Sequence, residues 1–538
     1  MTGWLKKYRL YLFSLLILVF ITYANSLNNA FLSDDLAEIA RNPKIGSFSS
    51  VIAHPFGFIR PLLYFITFNI AGLNQVLFRL INILFHLGSV FVVFALFQSF
   101  FSQRVAFVLA AIFAVHPALS EGIVWISGGM YPQYTFFFLL SLLLYILSKE
   151  NKKLFYYSIF SYLAAFLSHP QMPLALFLIF PLYELSFGNF KKNWKKSIPY
   201  FAISMVYVLV ALSSLPERET TLKSVHYQEG GIDNIFVLVP IAITSYFELI
   251  FFPKTLTLYH SELNFDSLNF MTRALITSLF FGLTLFSFKK NKFIFFWFSL
   301  FVISLLPTLT PFRLTWIVAE RYIYLGMVGI LAVLGLGVDK LLKSPKTRAV
   351  GYIILAVVLL IFCVRTIMRN IDWKNEDNLW IATGKTSPSS PNNHNNLGDV
   401  YGRLGNKEAA LKEFQTAIAL KPNYGDAYHN LGNTYRELGQ LDKAMENYQK
   451  ALEFNPNLWQ SYQNIASIYY QNKQYDKALE NMQKALQINP NDINLVNNLG
   501  LVYLGSGDKQ KAKEIFNMVL SADPQNQFAA AGLNEASK

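Results

Sequence analysis

Residues 431–456 read LGNTYRELGQLDKAMENYQKALEFNP, and the stretch recurs along the C-terminal part of the chain. Pro422, Pro456, Pro490 and Pro524 stand 34 residues apart. Leu397, Leu431, Ile465 and Leu499 keep the same step, as do Tyr401, Tyr435, Tyr469 and Tyr503, and Ala410, Ala444, Ala478 and Ala512. Gly398, Gly432 and Gly500 share one position, with Ala466 in the third copy. Apolar residues at helical spacing, a small residue where two helices must approach and a Pro that ends the second helix predict two antiparallel helices per copy.

A 34-residue period of this kind is the tetratricopeptide pattern. It predicts four repeats over 389–524 (389–422, 423–456, 457–490 and 491–524), with 525–538 as the capping helix an open solenoid needs for solubility. Asn396, Asn430, Asn464 and Asn498 recur at one position of the first helix. A carboxamide offers both a donor and an acceptor, which matches the backbone of an extended peptide. The ladder resembles the asparagine ladder of the tetratricopeptide superhelix in O-GlcNAc transferase, which implies that these four residues grip an acceptor polypeptide. The plainer alternative is a solvent-side or interhelix polar residue.

Outward from the repeats the chemistry changes. The chain is 53% hydrophobic and 16% aromatic, with a net charge of +13. From position 385 onward fifteen basic residues balance fifteen acidic ones, so the whole excess lies in the first part. There the basic residues sit in short clusters between apolar runs, the pattern of a polytopic membrane domain and not of a nucleic-acid binder. The expected fold is all-α: a helical membrane domain over 1–370, a linker at 371–388, and the solenoid. Apolar runs fall near 10–27, 79–101, 104–119, 132–148, 154–169, 171–188, 198–215, 271–288, 293–310, 320–340 and 349–368. They predict about 11 crossings. Lys6/Lys7/Arg9, Arg104, Lys149/Lys152/Lys153, Lys191/Lys192/Lys195/Lys196, Lys289/Lys290/Lys292 and Lys340/Lys343/Lys346/Arg348 then fall on one side. That places the N-terminus in the cytoplasm and the repeats outside it, with the run 236–253 re-entrant or interfacial and 48–75 lying along the outer surface. The first span reads as uncleaved. The single cysteine, Cys363, excludes an intramolecular disulfide. The Phe-, Asn- and Lys-rich composition points to a bacterial inner membrane with the repeats in the periplasm.

Carboxylates in the membrane half are scarce and concentrate on the predicted outer side. Asp34 and Asp35 are adjacent just after the first span. Near the interface they repel, one pKa rises, and a raised carboxyl suits a general base; a solvated loop is the plainer alternative. His116 and Glu121 lie between two apolar runs, with Pro117 in a first helical turn as the structural alternative. They do not form the tight ligand set a metal needs. Glu320 and Arg321 open a long apolar helix, where a guanidinium can grip a phosphate through paired hydrogen bonds. Asn82 and His86 stand one turn apart, where they pair or line a polar cavity.

These strings together resemble the TMTC family, transmembrane and tetratricopeptide-containing O-mannosyltransferases, and its bacterial relatives. The matching pieces are Asp34-Asp35 with Asn42-Pro43, Arg60-Pro61-Leu62, Asn82 with His86, Phe113-Ala114-Val115-His116-Pro117 with Glu121, Glu320-Arg321-Tyr322, and Trp373, Glu376 and Leu379 before the repeats. The resemblance covers nearly the full chain and implies a multi-spanning GT-C-type fold. It also implies transfer of a sugar from a polyprenyl-phosphate carrier to Ser or Thr of a protein. In that setting Asp34 or Asp35 is the expected base of an inverting single displacement. Arg321 with Arg60 meets the leaving phosphate, and His116, Glu121 and Glu320 orient the substrates. No metal or other cofactor is expected beyond the lipid-phosphate-sugar donor. The expected partners are membrane lipid, that donor and the acceptor polypeptide. One departure stands out: where the family shows Gly-Arg-x-acidic, this chain has Gly128-Gly129-Met130-Tyr131. It favours the competing reading, a non-catalytic scaffold that docks proteins through its repeats.

Overall fold

The computed structural model describes residues 2–214, 216, 234–258, 260, 263, 265–309 and 317–538. It separates into two compact units, Met1–Thr386 and Ser387–Lys538, and no strand occurs among the described residues.

In the first unit the described residues of each of the eleven predicted apolar runs are mainly helical; residues 215 and 310, which end two of the runs, lie outside the described residues. Local chemistry sets the ends. Asn74 caps the helix Gln75–Gln98 by accepting from the Val76 N–H, Asp266 caps Ser267–Lys290 through Asn269, and Asn291 caps Lys292–Leu305 through Phe293 and Ile294. Each side-chain oxygen satisfies an amide that the first turn leaves open. Lys289 and Lys290 sit in a last turn, where the helix dipole favours cations.

Among the described residues six helices are long and apolar enough to cross a membrane: Gly3–Ser26, Gln75–Phe97, Ser127–Leu147, Phe190–Ser213, Ser267–Lys290 and Pro345–Asp372. Gln103–Val115 and Pro117–Val124 make a seventh when read as one span bent by 55°. The bend falls at His116-Pro117, because a proline has no N–H for the helix ladder and disfavours a helical residue before it. Ile59–Ala71, Met172–Phe187, Ile235–Phe251 and Lys292–Thr308 are shorter apolar helices. The run 236–253 forms one continuous helix over Ile235–Phe251, with Pro240 inside it. Buried hydroxyls satisfy one another within the bundle: Ser141 donates to the Ser158 carbonyl at 2.7 Å, and the Ser158 and Tyr200 hydroxyls are 2.7 Å apart. Lipid offers no such partners. Tyr200 also stacks on Phe180 with ring centroids 3.6 Å apart.

The stretch 371–388 is folded rather than extended. Trp373 is buried and stacks on Trp125, the Lys374 carbonyl accepts from the Ala30 N–H at 2.9 Å, and Leu379 joins the core of the first unit. The helix Glu376–Thr386 therefore belongs to that unit.

The second unit is four helical hairpins, Pro391–Arg403 with Lys407–Leu420, Gly425–Glu437 with Leu441–Phe454, Trp459–Gln471 with Tyr475–Ile488, and Ile493–Gly505 with Lys509–Ala522, closed by Gln527–Ser537. The small-residue position has a specific cause. A Cβ on Gly398, Gly432 or Gly500 would come within 2.7, 2.7 and 2.6 Å of the ring of Phe414, Tyr448 or Phe516. In the third copy Ala466 carries that Cβ, and the partner is the thinner Met482. The turns within the hairpins repeat as well: Gly405, Gly439, Lys473 and Gly507 all have positive φ, the third without glycine's freedom.

Candidate functional site

One face of the helix Gln75–Gln98 fixes the loops around the site. Arg79 is fully buried and bonded only to carbonyls: Nε to Val124 at 2.7 Å, Nη1 to Leu27 and Asn29 at 3.0 and 2.8 Å, and Nη2 to Ala30 at 3.0 Å. One turn on, Asn82 Nδ2 donates to the carbonyls of Ile123, Trp125 and Ile126 at 3.4, 3.1 and 3.1 Å. A further turn on, His86 bonds the Ala114 carbonyl at 3.0 Å and the Tyr324 hydroxyl. Residues at this spacing share a helix face. They bring the first loop, the segment 114–126 and the segment 317–325 to one end of the bundle. Asn82 and His86, expected to pair or line a cavity, instead hold backbone on either side.

The two adjacent aspartates have opposite environments. Asp35 is buried: its Oδ1 accepts from both the N–H and the hydroxyl of Ser127, at 2.8 and 2.6 Å, and its Oδ2 from the Leu32 N–H at 3.1 Å. Burial pushes its carboxyl up to about 6, while these donors and the Arg79 charge hold it from rising further. Asp34 is exposed, and Arg60 feels its charge. Ser33, just before them, has a left-handed backbone at φ 51°. Glu38 follows one turn later. Its Oε1 pairs with Arg60 Nη2 at 2.6 Å, its Oε2 accepts from the Ser127 hydroxyl at 3.2 Å, and Arg60 Nη1 donates to the Ser127 carbonyl at 3.3 Å. Glu38 and Arg60 line a cavity of about 550 Å³ together with Asn42, His54, His169 and Gln171. That size suits a small ligand, with apolar walls and a few convergent polar groups.

A second polar centre lies on the other side of the same segment. Glu121 is fully buried and accepts from the Arg321 N–H at 2.9 Å and from its guanidinium, so residue 321 is held by both main chain and side chain. The Arg321 guanidinium lies 5.6 Å from the Trp125 ring. Glu320 pairs with Arg369 at 2.9 Å, both without exposure, and Arg369 reaches Asp372 at 3.1 Å. Burial and the Glu121 charge push the Glu320 carboxyl upward against the pull of Arg369. His116 is occupied by the fold: Nε2 bonds the Ile250 carbonyl at 2.9 Å and Nδ1 accepts from the Ala118 N–H at 3.3 Å.

Arg60 lines the cavity, whereas Arg321 and Glu121 do not. Aromatic rings span the gap: Tyr131 lies 5.2 Å from the cavity residue His169 and 6.0 Å from Tyr322. Ser120–Met130 is the common element, carrying Glu121, Trp125 and Ser127. Sequence reading passed over Glu38, Arg79 and Arg369; an arginine inside or at the end of an apolar span was the available signal. A Cβ on Gly129 would lie 1.9 Å from Asn82 Oδ1, so a side chain at 129 requires this asparagine's amide to shift. No group of three or more His, Cys, Asp or Glu suited to a metal occurs among the described residues.

In the second unit the four ladder asparagines are half-buried. Asn430 Nδ2 donates to Asn395 at 3.0 Å, and Asn464 Nδ2 donates to Asn433 at 2.8 Å, each reaching into the preceding repeat. These two ladder residues thus tie adjacent repeats together.

Tetratricopeptide repeat families match residues 398–435, 425–458, 447–480 and 469–533. Among curated proteins the chain is similar to protein O-mannosyl-transferases and is TMTC-like. It is 25% identical to the Caenorhabditis elegans protein O-mannosyl-transferase F38B6.6 over 76% of this chain and 63% of that one. It is 34% identical to Drosophila melanogaster Tmtc2 over 21% of this chain and 12% of that one. The chain thus spans less than two thirds of the length of these relatives. Among solved structures, MamA protein is 23% identical with a TM-score of 0.25, covering 28% of this chain and 84% of that one. YrrB is 20% identical with a TM-score of 0.26, covering 37% and 97%.

Proposed function

We propose that the protein is a membrane glycosyltransferase that moves a sugar from a polyprenyl-phosphate carrier to Ser or Thr of a polypeptide held by the repeats. What supports this most is that one short segment, Ser120–Met130, joins the acidic first loop and its cavity to the buried Glu121–Arg321 pair. That supplies a carboxylate for the acceptor and a guanidinium for the donor on neighbouring sides of one element.

In this reading Asp34 is the base. It is the exposed one of the two aspartates, next to a cavity rim charged by Arg60. It takes the proton from the acceptor hydroxyl as that oxygen attacks the anomeric carbon, and the lipid phosphate leaves on the opposite face. Asp35 is a positioning residue that acts through Ser127, and Glu38 with Arg60 orients the substrates at the cavity wall. Arg321 faces the negative charge that grows on the leaving phosphate. His116 and Glu121 hold the bend and the guanidinium. The reaction lies at the outer face, and the repeats raise the local concentration of acceptor there.

Mass spectrometry of extracytoplasmic proteins from cells with and without the chain tests this. Hexose on Ser or Thr that disappears with the gene supports the reading; an unchanged pattern contradicts it and favours the scaffold.

A further inference from the structure

The first helices of the four repeats differ in charge. Pro391–Arg403 carries Asp399 and Arg403, and Gly425–Glu437 carries Asp426, Arg436 and Glu437, whereas Trp459–Gln471 and Ile493–Gly505 contain no Asp, Glu, Lys or Arg. These helices stand side by side. Asn430 donates to Asn395 across the first junction, Asn464 donates to Asn433 across the second, and the Tyr470 ring lies against Gly505 across the third. They make one continuous wall, charged over its first half and uncharged over its second.

Along the 34-residue period Asp399, Asn433 and Ser467 give way to Leu501, and Arg403, Glu437 and Gln471 give way to Gly505. The missing side chain at 505 makes room for a ring: a Cβ there would come within 2.6 Å of Tyr470 and 2.9 Å of Tyr475. Tyr475 meets Tyr470 at 5.7 Å with planes 69° apart, so the Tyr470 ring is held from two sides. Tyr470 is still 38% exposed, and Leu501, one turn from Gly505 on the same helix face, is 42% exposed. Asn498 and Asn494 continue that face at steps of three and four. One period beyond Asn494, Phe528 of the closing helix is 81% exposed. A fixed ring offers contact area at little entropic cost, and grouped exposed apolar side chains mark a contact surface. A charged side chain docked here would lose hydration and meet no opposite charge on either helix. The neighbouring carboxamides offer donor and acceptor to a peptide backbone.

We infer that the third and fourth repeats dock an uncharged extended peptide segment, with an apolar side chain resting on Tyr470 and Leu501 and the backbone running along Asn498 and Asn494. This rests on the proposed role of the repeats as holder of the acceptor, and it names the chemistry of the bound stretch: aliphatic and hydroxyl-bearing residues without charge. In the first half of the wall the charges are already matched, Arg403 with Asp399 and Lys407 with Glu437, and that half takes no part in the contact.

The test uses the full chain in nanodiscs and a capped ten-residue peptide of Gly, Ser and Thr with photo-leucine at its centre. Two sister peptides carry Asp or Lys on both sides of the photo-leucine. Leu501→Lys and Tyr470→Ala change exposed side chains, and thermal unfolding of each variant confirms that it folds. Saturable crosslinking within residues 470–505, weakened at least tenfold in both variants and for both charged peptides, is the expected result. Crosslinking centred on the first two repeats, equal or stronger crosslinking of either charged peptide, equal crosslinking of the variants, or no saturable crosslinking of the parent chain would each overturn the surface. Sugar transfer to the same peptide with leucine in place of photo-leucine is scored separately. Crosslinking as expected in a protein that transfers no sugar sinks the transferase reading and leaves the surface. Transfer with an unchanged acceptor KM in both variants sinks the surface and leaves the transferase.

Discussion

Asp35 Oδ1 accepts from both the N–H and the hydroxyl of Ser127, at 2.8 and 2.6 Å. The bond pair couples the first loop to the segment that carries Glu121, and it distinguishes two neighbouring aspartates: Asp35 is buried against Ser127, while Asp34 is exposed.

The Asp35 carboxyl has a linkage consequence. Its folded pKa of about 6 lies above its ordinary value of 3.8. Between those values the folded chain holds more protons than the unfolded one, so this group's contribution falls as pH rises from about 4 through about 6. The total is up to about 3 kcal/mol. Thermal unfolding in detergent across this range should show a decline for the parent chain that Asp35→Asn lacks.

Glu121 and Arg321 should behave as a pair. Arg321→Gln leaves a buried carboxylate without its cation, which costs about 3–5 kcal/mol. The double variant Glu121→Gln/Arg321→Gln should recover much of that stability without recovering transfer. Denaturation midpoints measured beside donor turnover check both halves.

Gly129→Ala should destabilise by about 2–3 kcal/mol, as an overpacked core does, because its Cβ would enter Asn82 Oδ1. Adding Asn82→Ala should return part of the loss. For the same reason Gly129→Arg should not restore a family-like site in this chain, which expression level and unfolding midpoint will show.

In the third repeat, Lys473 adopts a φ of 56° where the other repeats place glycine. Lys473→Gly should slow amide exchange in that hairpin, equivalent to about 0.5–1 kcal/mol, since a side chain in the left-handed region is strained. Hydrogen exchange resolved by repeat reads this directly.

The repeats were fully legible because a 34-residue period in Leu, Gly, Tyr, Ala and Pro leaves one packing solution. The eleven apolar runs became helices because lipid enforces internal bonding of the backbone. The crossing count was less legible: about 11 were expected, whereas among the described residues six helices, or seven with the bend at His116-Pro117 read as one span, are long and apolar enough. At the site, Asp34, Asp35, Glu121 and Arg321 were readable as scarce charges beside apolar runs. Their partners were not. Ser127 lies 92 residues from Asp35 and Arg321 lies 200 from Glu121, separations that only the fold closes. The burial of Asp35 beside an exposed Asp34 depends on hydrogen bonds to the Leu32 N–H and to Ser127, the second far away in sequence. The Gly129 departure read as a loss, and its close contact with Asn82 was visible only in the fold.

The most direct measurement is sugar transfer in liposomes by the purified full chain, from a polyprenyl-phosphate sugar to a Ser/Thr peptide, comparing the parent with Asp34→Asn and Asp35→Asn. The account predicts transfer by the parent and a loss of at least a hundredfold in kcat for Asp34→Asn with an unchanged unfolding midpoint. Asp35→Asn should lower activity and stability together. Transfer by Asp34→Asn at the parent rate, or none by the parent with any donor sugar, would contradict it.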